Sequence, residues 1–326
     1  MAYQPAGNLT TTATLNHLVT IHYDRQALDV LRKKFMFFEL VDNRVLPKRN
    51  GKLVQFWRPS TFAANTTTKS EGQVGTSLQL TTETVQATVS QYADFITISD
   101  LLDETALDPA LETVARELGY RGGLTADTVV RNEIDSVAGS IDVPLLGGNL
   151  AVKDLADIRH LLAGVDVEPK KGPYYVALAH PYVTYDLVND PAAGGFLDRN
   201  IRPSSQENER LFSMEDRGLV ARIGGVEIWE STNVTQVSGS PNKWRVYFAG
   251  NEALLAIDLA GEGPSRVRNP KTERFNVTVQ RTSKDKSDPE GVIAGFASYN
   301  FKFVAKVADT SPYRLRKIDS PSSIVA

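Results

Sequence analysis

The histidines are the side chains of this sequence best suited to bind a metal ion or move a proton, and there are four of them. His17 and His22 lie in a stretch without helical periodicity, which makes them a poor pair of metal ligands. His160 is not part of an HExxH motif. His180 precedes Pro181 at the end of a predicted strand, a place where active-site residues do occur. We interpret all four as structural or surface residues.

Other patterns that carry chemistry are missing from the sequence. It has no GxGxxG after a strand, no phosphate-binding GxxxxGK[ST] and no GxSxG. The cysteine count of 0 excludes disulfides, thiol catalysis and cysteine-based zinc sites. Acidic residues at 285–290 resemble a calcium loop only faintly, because Pro289 and two lysines break the spacing, so we predict a turn there. We therefore predict no enzymatic activity, no cofactor and no metal.

Composition narrows the class of protein further. The net charge is -3, so the chain lacks the overall basic character of nucleic-acid binders. Its hydrophobic content of 41% is enough for a sizeable core. No stretch approaches the roughly 18 apolar residues that a membrane-spanning helix needs. Residues 1–23 have neither the basic start nor the apolar centre of a signal peptide. We expect a soluble chain made in the cytoplasm, with no membrane contact.

The elements at the start of the chain point to contacts with other molecules. Residues 1–23 contain no Asp, Glu, Lys or Arg. This stretch is either a loose terminus or an extended arm along a neighbouring subunit, where charges would be costly to desolvate. Asp24 follows, and Asp is a residue type favoured at the N-cap of a helix. Apolar residues at helical spacing predict a helix from Asp24 to about Leu40.

A long polar excursion follows, from Arg44 to Ser99. Strand patterns over Leu53 to Arg58 and Leu78 to Gln91, continued by Phe95 to Ile98, enclose a middle with few apolar residues. A two-stranded ribbon alone is at best marginally stable in water, so another layer must support it. We infer that another copy of the chain supplies this layer, which makes self-assembly the first functional hypothesis.

A second helix is predicted from Leu107 to about Val137, with a start at Asp108-Pro109. Thirty residues at about 1.5 Å each would make it roughly 45 Å long, longer than a compact domain requires. Glycines cost about 1 kcal/mol each within a helix. We therefore expect a bend or break at Gly119, Gly122 and Gly123.

From Leu145 onward the pattern changes to short alternating elements, which predict an α+β domain with a central sheet. The predicted helices are Val152–Leu162, Pro181–Val188 and a helix or helical turn at Glu252–Leu259; the predicted strands are Tyr174–Ala179, Gly225–Trp229, Trp244–Phe248, Arg274–Arg281 and Val292–Val307.

In this order, the elements resemble the major capsid proteins of tailed bacteriophages with the Hong Kong 97 fold, and within them the capsid family typified by the N-four phages. The resemblance covers nearly the whole chain. The stretches that carry it are LPKRNGKLVQFWR at 46–58, LVARIGGVEI at 219–228, ESTNV at 230–234, WRVYFAGNEAL at 244–254, and DPEGVIAGFASYNFKF at 288–303 with its continuation to Arg314.

The resemblance implies an α+β fold with names for its parts. It assigns an N-terminal arm (1–23), an N-terminal helix (24–43), an extended two-stranded E-loop (44–100), a P-domain with a long spine helix (101–144), an A-domain with a central sheet and C-terminal strands that return to the P-domain (145–308), and a C-terminal tail (309–326).

Within the E-loop we predict assembly contacts at five residues. Some relatives cross-link subunits through a Lys–Asn isopeptide bond, for which Lys69 near the loop tip could supply the lysine. No matching Asn context occurs in the later domain, so we favour non-covalent contacts, with Lys69 and Glu71 in ion pairs between subunits. The predicted contact residues are Arg58, Phe62, Lys69, Glu71 and Leu78.

The resemblance implies a shell protein that forms hexamers and pentamers around double-stranded DNA, without sequence-specific DNA binding. Its expected partners are other copies of itself, a scaffolding protein, a portal and a decoration protein; its expected location is the virion, after assembly in the host cytoplasm. One alternative is an encapsulin-like compartment with the same fold. Another, from a different class, is an enzyme that uses His180 and Asp186.

Overall fold

The computed structural model of the chain describes residues 35–47, 49, 51–72, 74–75, 77–106, 110–137, 148–190, 219–238, 242–259, 278–281, 288, 290–309 and 314–324. The predicted arm and the start of the first predicted helix lie outside these ranges.

Thirteen strands and four α-helices make up the described part, so the α+β class is confirmed. The helices are α1 (Asp100–Thr105), α2 (Ala110–Ser136), α3 (Val152–Ala163) and α4 (Pro181–Val188). The strands are β1 (Asp42–Leu46), β2 (Leu53–Pro59), β3 (Thr82–Thr88), β4 (Ser90–Ser99), β5 (Tyr175–Ala179), β6 (Leu219–Ile223), β7 (Val226–Glu230), β8 (Gln236–Val237), β9 (Lys243–Ala249), β10 (Leu254–Leu259), β11 (Thr278–Arg281), β12 (Ile293–Val307) and β13 (Leu315–Pro321).

The strands form two large sheets and one ribbon. A 5-stranded sheet has the order β1-β10-β12-β11, with β4 paired to β12 as well. A 6-stranded sheet has the order β13-β9-β5-β7-β6, with β8 on β9. Strands β2 and β3 pair only with each other among the described residues. The ribbon therefore forms no strand pairing with either sheet.

The long strand β12 and the long helix α2 form one packing unit. Every second residue of β12 from Gly295 to Val307 is buried, as expected for a strand with one covered face. The helix supplies a complementary apolar stripe with Leu118, Val130 and Ile134, which are at most 1% exposed. Apolar residues thus repeat every 2 residues along the strand and every 3.6 along the helix, and both apolar faces lie in one core.

The 6-stranded sheet is covered on both faces, which explains the unbroken apolar run of β5. Ala177 faces a core built with α3 and α4, whereas Val176 and Leu178 face the core that contains α2. All five residues of β5 are buried. A strand covered on both faces reads as a continuous apolar run rather than an alternating one.

Helices α3 and α4 and strands β2, β5, β7, β9 and β12 agree with the sequence predictions to within a residue or two. The predicted helix or helical turn at Glu252–Leu259 is wrong, because Leu254–Leu259 is strand β10. It lies between β1 and β12, where pairing on both sides overrides the local helix preference of Leu and Ala.

Four further differences concern the helices and the C-terminal tail. Phe35 and Met36 are not helical and Phe37–Leu40 is a 3-10 turn, because the N–H of Phe37 donates to Asp127 across the core. Helix α2 is continuous through its glycines, so of the predicted bend or break the break is wrong and the bend stays a prediction. The C-terminal tail contains β13, which pairs with β9 and was not predicted. Helix α1 was also missed.

Gly123 shows why a glycine is tolerated inside α2. A Cβ atom at this position would lie 2.5 Å from Cε2 of Phe35. The ring of Phe35 also lies 5.4 Å from that of Tyr120, between centroids. The missing side chain makes room for the chain that leads into the 3-10 turn, and this packing offsets the intrinsic cost of glycine in a helix.

Candidate assembly interface

The ribbon of β2 and β3 is the feature that the rest of the chain supports least. Its strands pair antiparallel from Leu53 opposite Thr88 to Pro59 opposite Thr82. The N–H of Ser60 donates to the carbonyl of Thr81 at 2.9 Å, which closes the ribbon where the long loop begins. All described residues from Ser60 to Thr81 are exposed.

The outward face of the ribbon carries no charged residue. Alternate residues of β2, from Leu53 to Pro59, are exposed, and directly paired residues of an antiparallel ribbon share a face. Trp57 is 67% exposed at the centre of this face. The outward face consists of Leu53, Gln55, Trp57, Pro59, Thr82, Thr84, Gln86 and Thr88.

Exposed surfaces normally carry charges, and the cores of protein interfaces are depleted of them and enriched in Trp. The outward face therefore has the composition of a surface that becomes covered. The loop beyond it adds exposed apolar side chains, of which Val74 is 98% exposed. Exposed clusters of this kind mark interaction sites.

The inward face of the ribbon meets the body of the protein. Ala87 is 4% exposed and packs with Leu46 and Ile257, while Val54 and Phe56 contribute partly buried surface to the same cluster. Beyond this cluster a cleft of about 270 Å³ opens between ribbon and body. Its lining residues are Arg44, Phe56, Trp57, Arg58, Pro59, Glu83, Val85, Glu252, Leu255 and Ala308.

The structure separates the predicted contact residues into two groups. Phe62 and Leu78 are 53% and 73% exposed, and Lys69 and Glu71 are also exposed on the loop. Arg58 points inward and forms an ion pair with Asp309 of its own chain. Four of the five residues are thus available to a neighbour, and the contacts themselves stay predictions.

Sequence reasoning missed Trp57 and Val74, which are more exposed than Phe62. The signal for Trp57 was its position: it alternates with Phe56 and Arg58 in a strand whose other face had to meet the body. Lys69 lies back over the loop, since a Cβ atom at Gly75 would be 3.0 Å from its Cε and Nζ.

Charged residues in and beside the cleft alternate in sign. Asp309 has a side chain only 4% exposed, and its second oxygen lies 3.7 Å from Nε of Arg314. Arg314 reaches Glu252 at 3.4 Å, and Glu252 reaches Arg44 at 3.0 Å. Burial, followed by repulsion from Arg314, lowers the pKa of Arg58 from its usual value.

His180 and Asp186, the residues of the enzyme hypothesis, have structural partners. Nδ1 of His180 accepts a hydrogen bond from the N–H of Tyr182 at 3.2 Å, so the imidazole caps helix α4. The ring stacks on Trp244 with 3.8 Å between centroids. The carboxylate of Asp186 accepts from the N–H of Ser323 at 2.8 Å. Both side chains hold α4 in place.

Of the other candidates, His17 and His22 lie outside the described residues. His160 is exposed on α3. Asp288 accepts hydrogen bonds from the N–H groups of Gly291, Val292 and Ile293, which is the arrangement of a turn, as predicted. Within the described ranges, no group of three His, Asp or Glu side chains could hold a metal ion. No helix in that part of the chain is both long and apolar enough to span a membrane.

Comparison with known proteins gives matches at the level of structure alone. No family profile matches the sequence, and no curated protein matches it. The capsid structure of Cyanophage P-SCSP1u matches with a TM-score of 0.67 and 14% identity, over 99% of this chain and 100% of that one. The capsid of Ralstonia phage GP4 matches with a TM-score of 0.68 and 14% identity, over 94% and 96%.

The capsid of Cyanophage Pam1 is a third match, with a TM-score of 0.64 and 13% identity over 98% of this chain and 100% of that one. The class is therefore clear: the chain has the fold of tailed-phage capsid proteins. More particularly, this is the Hong Kong 97-like fold that the sequence resemblance predicted.

Proposed function

We propose that this chain is the major capsid protein of a tailed bacteriophage, which assembles into the hexamers and pentamers of an icosahedral shell around double-stranded DNA. The full-length structural matches to phage capsids support this function. The observation that carries it in this chain is the uncharged outward face of the ribbon. Such a face is poorly suited to permanent contact with water and well suited to cover, or be covered by, another subunit.

In this proposal residues 1–23 are the N-terminal arm, 44–100 the E-loop, 101–144 the P-domain and 145–308 mainly the A-domain. The residues at 309–326 contribute β13 to the A-domain sheet rather than a separate tail. The shell gains its stability from many modest contacts repeated by closed symmetry. The exposed side chains Phe62, Lys69, Glu71 and Leu78 contact neighbours without a covalent cross-link, and Arg58 acts within its own chain.

The chain acts as a structural protein and not as an enzyme, in keeping with the structural roles of His180 and Asp186. Its partners are further copies of itself, with a scaffolding protein, a portal and a decoration protein as additional ones. It resides in the virion and assembles in the host cytoplasm. The encapsulin-like alternative is not favoured, since the reported structural matches are phage capsids.

Electron microscopy of the purified, overexpressed protein, combined with size exclusion, tests the proposal. We expect closed particles hundreds of ångströms across, or rings of five or six subunits that close when the scaffolding protein is added. A protein that stays monomeric under all these conditions would contradict a shell function.

Deletion of residues 62–76 tests the role of the loop. Residues 61 and 77–80 remain to close a short turn between Ser60 and Thr81, so the ribbon can still form. The variant should fold and fail to assemble. An equally long stretch of Gly and Ser in place of 62–76 is the matched control for loop length and should fail as well. Shells like those of the unmodified protein from either variant would contradict the role of this loop.

A further inference from the structure

The ribbon is attached to the body of its own chain at two separate places. The first is its base, where the N–H of Val89 donates to the carbonyl of Lys52 at 2.9 Å. Here Ala87 packs with Leu46 and Ile257. Val89 lies between the end of β3 and the start of β4, so the backbone passes directly from the ribbon into the 5-stranded sheet.

The second attachment is the ion pair between Arg58 and Asp309. Arg58 lies near the far end of β2, roughly 17 Å from Leu53 at about 3.4 Å per residue. The cleft of about 270 Å³ opens beside this pair, lined by half-buried Phe56 and Val85. The ion pair is thus a specific contact between ribbon and body at this distance from the base.

Asp309 is well placed to receive Arg58. Its side chain is 4% exposed, and Nε of Arg314 lies 3.7 Å from its other oxygen. Arg314 is in turn held by Glu252, and Glu252 by Arg44. The body therefore presents a fixed, partly neutralised carboxylate, and the ribbon brings one additional cation to it.

We propose that the Arg58–Asp309 pair is a strut that sets the angle at which the ribbon leaves the body. Without it, the base cluster around Val89 acts as a pivot for a long arm. The strut is ionic and its Arg58 side chain is 40% exposed, so a change of solvent or a competing charge can open it. Its consequence for subunit docking rests on the proposed shell function; the angle itself is a property of the single chain.

Distance measurement by electron paramagnetic resonance tests the strut directly. The chain has 0 cysteines, so spin labels at Thr84→Cys on the ribbon and Lys153→Cys on α3 report one distance; both positions are exposed. Labelled chains are diluted in excess unlabelled protein, so that only the distance within one chain is measured. This holds whether or not the protein assembles, so the result does not depend on the proposed function.

Arg58→Met removes the charge and keeps much of the side-chain bulk. We expect the label distance to shift or broaden by roughly 5 Å, since a rotation of about 20° moves Thr84, roughly 14 Å from the base of the ribbon, by that much. Asp309→Asn should do the same. Arg121→Met is the matched control, because Arg121 also pairs with an aspartate of its own chain, Asp94, but does not line the cleft. In 1 M salt, the label distance of the unmodified protein should approach that of Arg58→Met, because salt screens the ion pair.

A distance distribution of Arg58→Met equal to that of Arg121→Met and of the unmodified protein would overturn the proposal. Circular dichroism and thermal unfolding accompany each variant. If Asp309→Asn does not fold because its carboxylate is buried, Arg58→Met, which changes a partly exposed side chain, still decides the outcome.

Discussion

The side chains of Asp127 and Asn233 meet in the interior of the protein, with Oδ2 of Asp127 2.7 Å from Nδ2 of Asn233. The other oxygen of Asp127 accepts the N–H of Phe37 at 3.0 Å, and the residue is 0% exposed. This carboxylate therefore joins helix α2 to the 3-10 turn and to the chain that follows β7. It belongs to a polar row on α2 that faces the 6-stranded sheet.

The row continues along the same helix face at intervals of four residues. Arg131 donates to the carbonyl of Asn233 at 3.0 Å, and Asp135 accepts from Arg245 at 3.0 Å and from Tyr247 at 2.9 Å. Helix α2 thus presents its apolar stripe to β12 and this polar row to the other sheet. The 5-stranded sheet thus meets α2 through apolar packing, and the 6-stranded sheet meets it through this polar row as well as through the apolar core.

Asp127→Ala should destabilise the protein by about 2–3 kcal/mol, because two buried donors lose a charged acceptor. Asp127→Asn keeps one acceptor oxygen and should cost less. Ser136→Ala, an exposed change on the same helix, is the control and should stay within about 0.5 kcal/mol. Urea unfolding measures all three, and equal midpoints for Asp127→Ala and Ser136→Ala would contradict the role of the carboxylate.

Gly123→Ala should destabilise the protein, although the same change inside a helix normally stabilises by about 1 kcal/mol. The new Cβ would lie 2.5 Å from the ring of Phe35, and overpacking of this kind costs about 1–3 kcal/mol. Phe35→Leu in the same chain removes the ring carbons that clash and should recover part of the loss. A double-mutant cycle on thermal unfolding measures the coupling, and strictly additive effects would contradict the proposed fit.

Tyrosine ionisation should make the fold sensitive to high pH. Burial, with the nearby Asp135 carboxylate as second cause, raises the pKa of Tyr247 strongly, and burial also raises the pKa of Tyr92 and of Tyr175. A raised pKa in the folded state means that the unfolded chain loses these protons first. Stability is therefore complete below about pH 10 and falls as the pH rises above it.

Tyr247→Phe should make this fall shallower, at the cost of the hydrogen bond to Asp135 at lower pH. Tyr185→Phe is the control, because Tyr185 is 53% exposed. Unfolding by urea between pH 8 and 11 gives the slopes. A slope for Tyr247→Phe as steep as that of Tyr185→Phe would show that the buried phenol does not cause the alkaline loss.

His180→Ala should lower stability by about 1–2 kcal/mol through loss of the cap of α4 and of the stacking on Trp244. His160→Ala, at an exposed position of α3, should have little effect. The folded fraction of His180→Ala should assemble like the unmodified protein. If His180→Ala instead keeps its stability but loses a catalytic activity that the unmodified protein has, the enzyme hypothesis is supported.

Trp57→Ser should leave folding intact and raise the protein concentration needed for assembly at least about tenfold, since anchoring Trp residues contribute about 2 kcal/mol or more to interfaces. Leu101→Ser is the matched control, because Leu101 is 69% exposed, close to the 67% of Trp57, but lies on α1 outside the ribbon. Light scattering against protein concentration measures both. An equal effect of the two changes would show that the outward face has no special role.

Much of the fold follows from local pattern. Alternation along β2 and β12 and helical spacing in α3 and α4 predict these elements closely, because each has one face in a core and repeats with its own period. The small number of apolar residues between Ser60 and Thr81 predicts a segment without a core of its own, and all described residues there are exposed. The order of elements then suffices for the resemblance to a capsid fold, which the structural matches confirm.

Other features depend on partners distant in sequence, and local pattern does not contain them. Leu254–Leu259 becomes a strand because β1 and β12 pair with it on both sides, and α2 stays unbroken at Gly123 because Phe35 fills the space there. Arg58 turns inward because Asp309, on the far side of the chain, offers a buried carboxylate. The sequence by itself thus determined most of the segments that have one buried face. The tertiary structure decided which faces meet, since register, burial and ion pairing arise only where distant segments pack together.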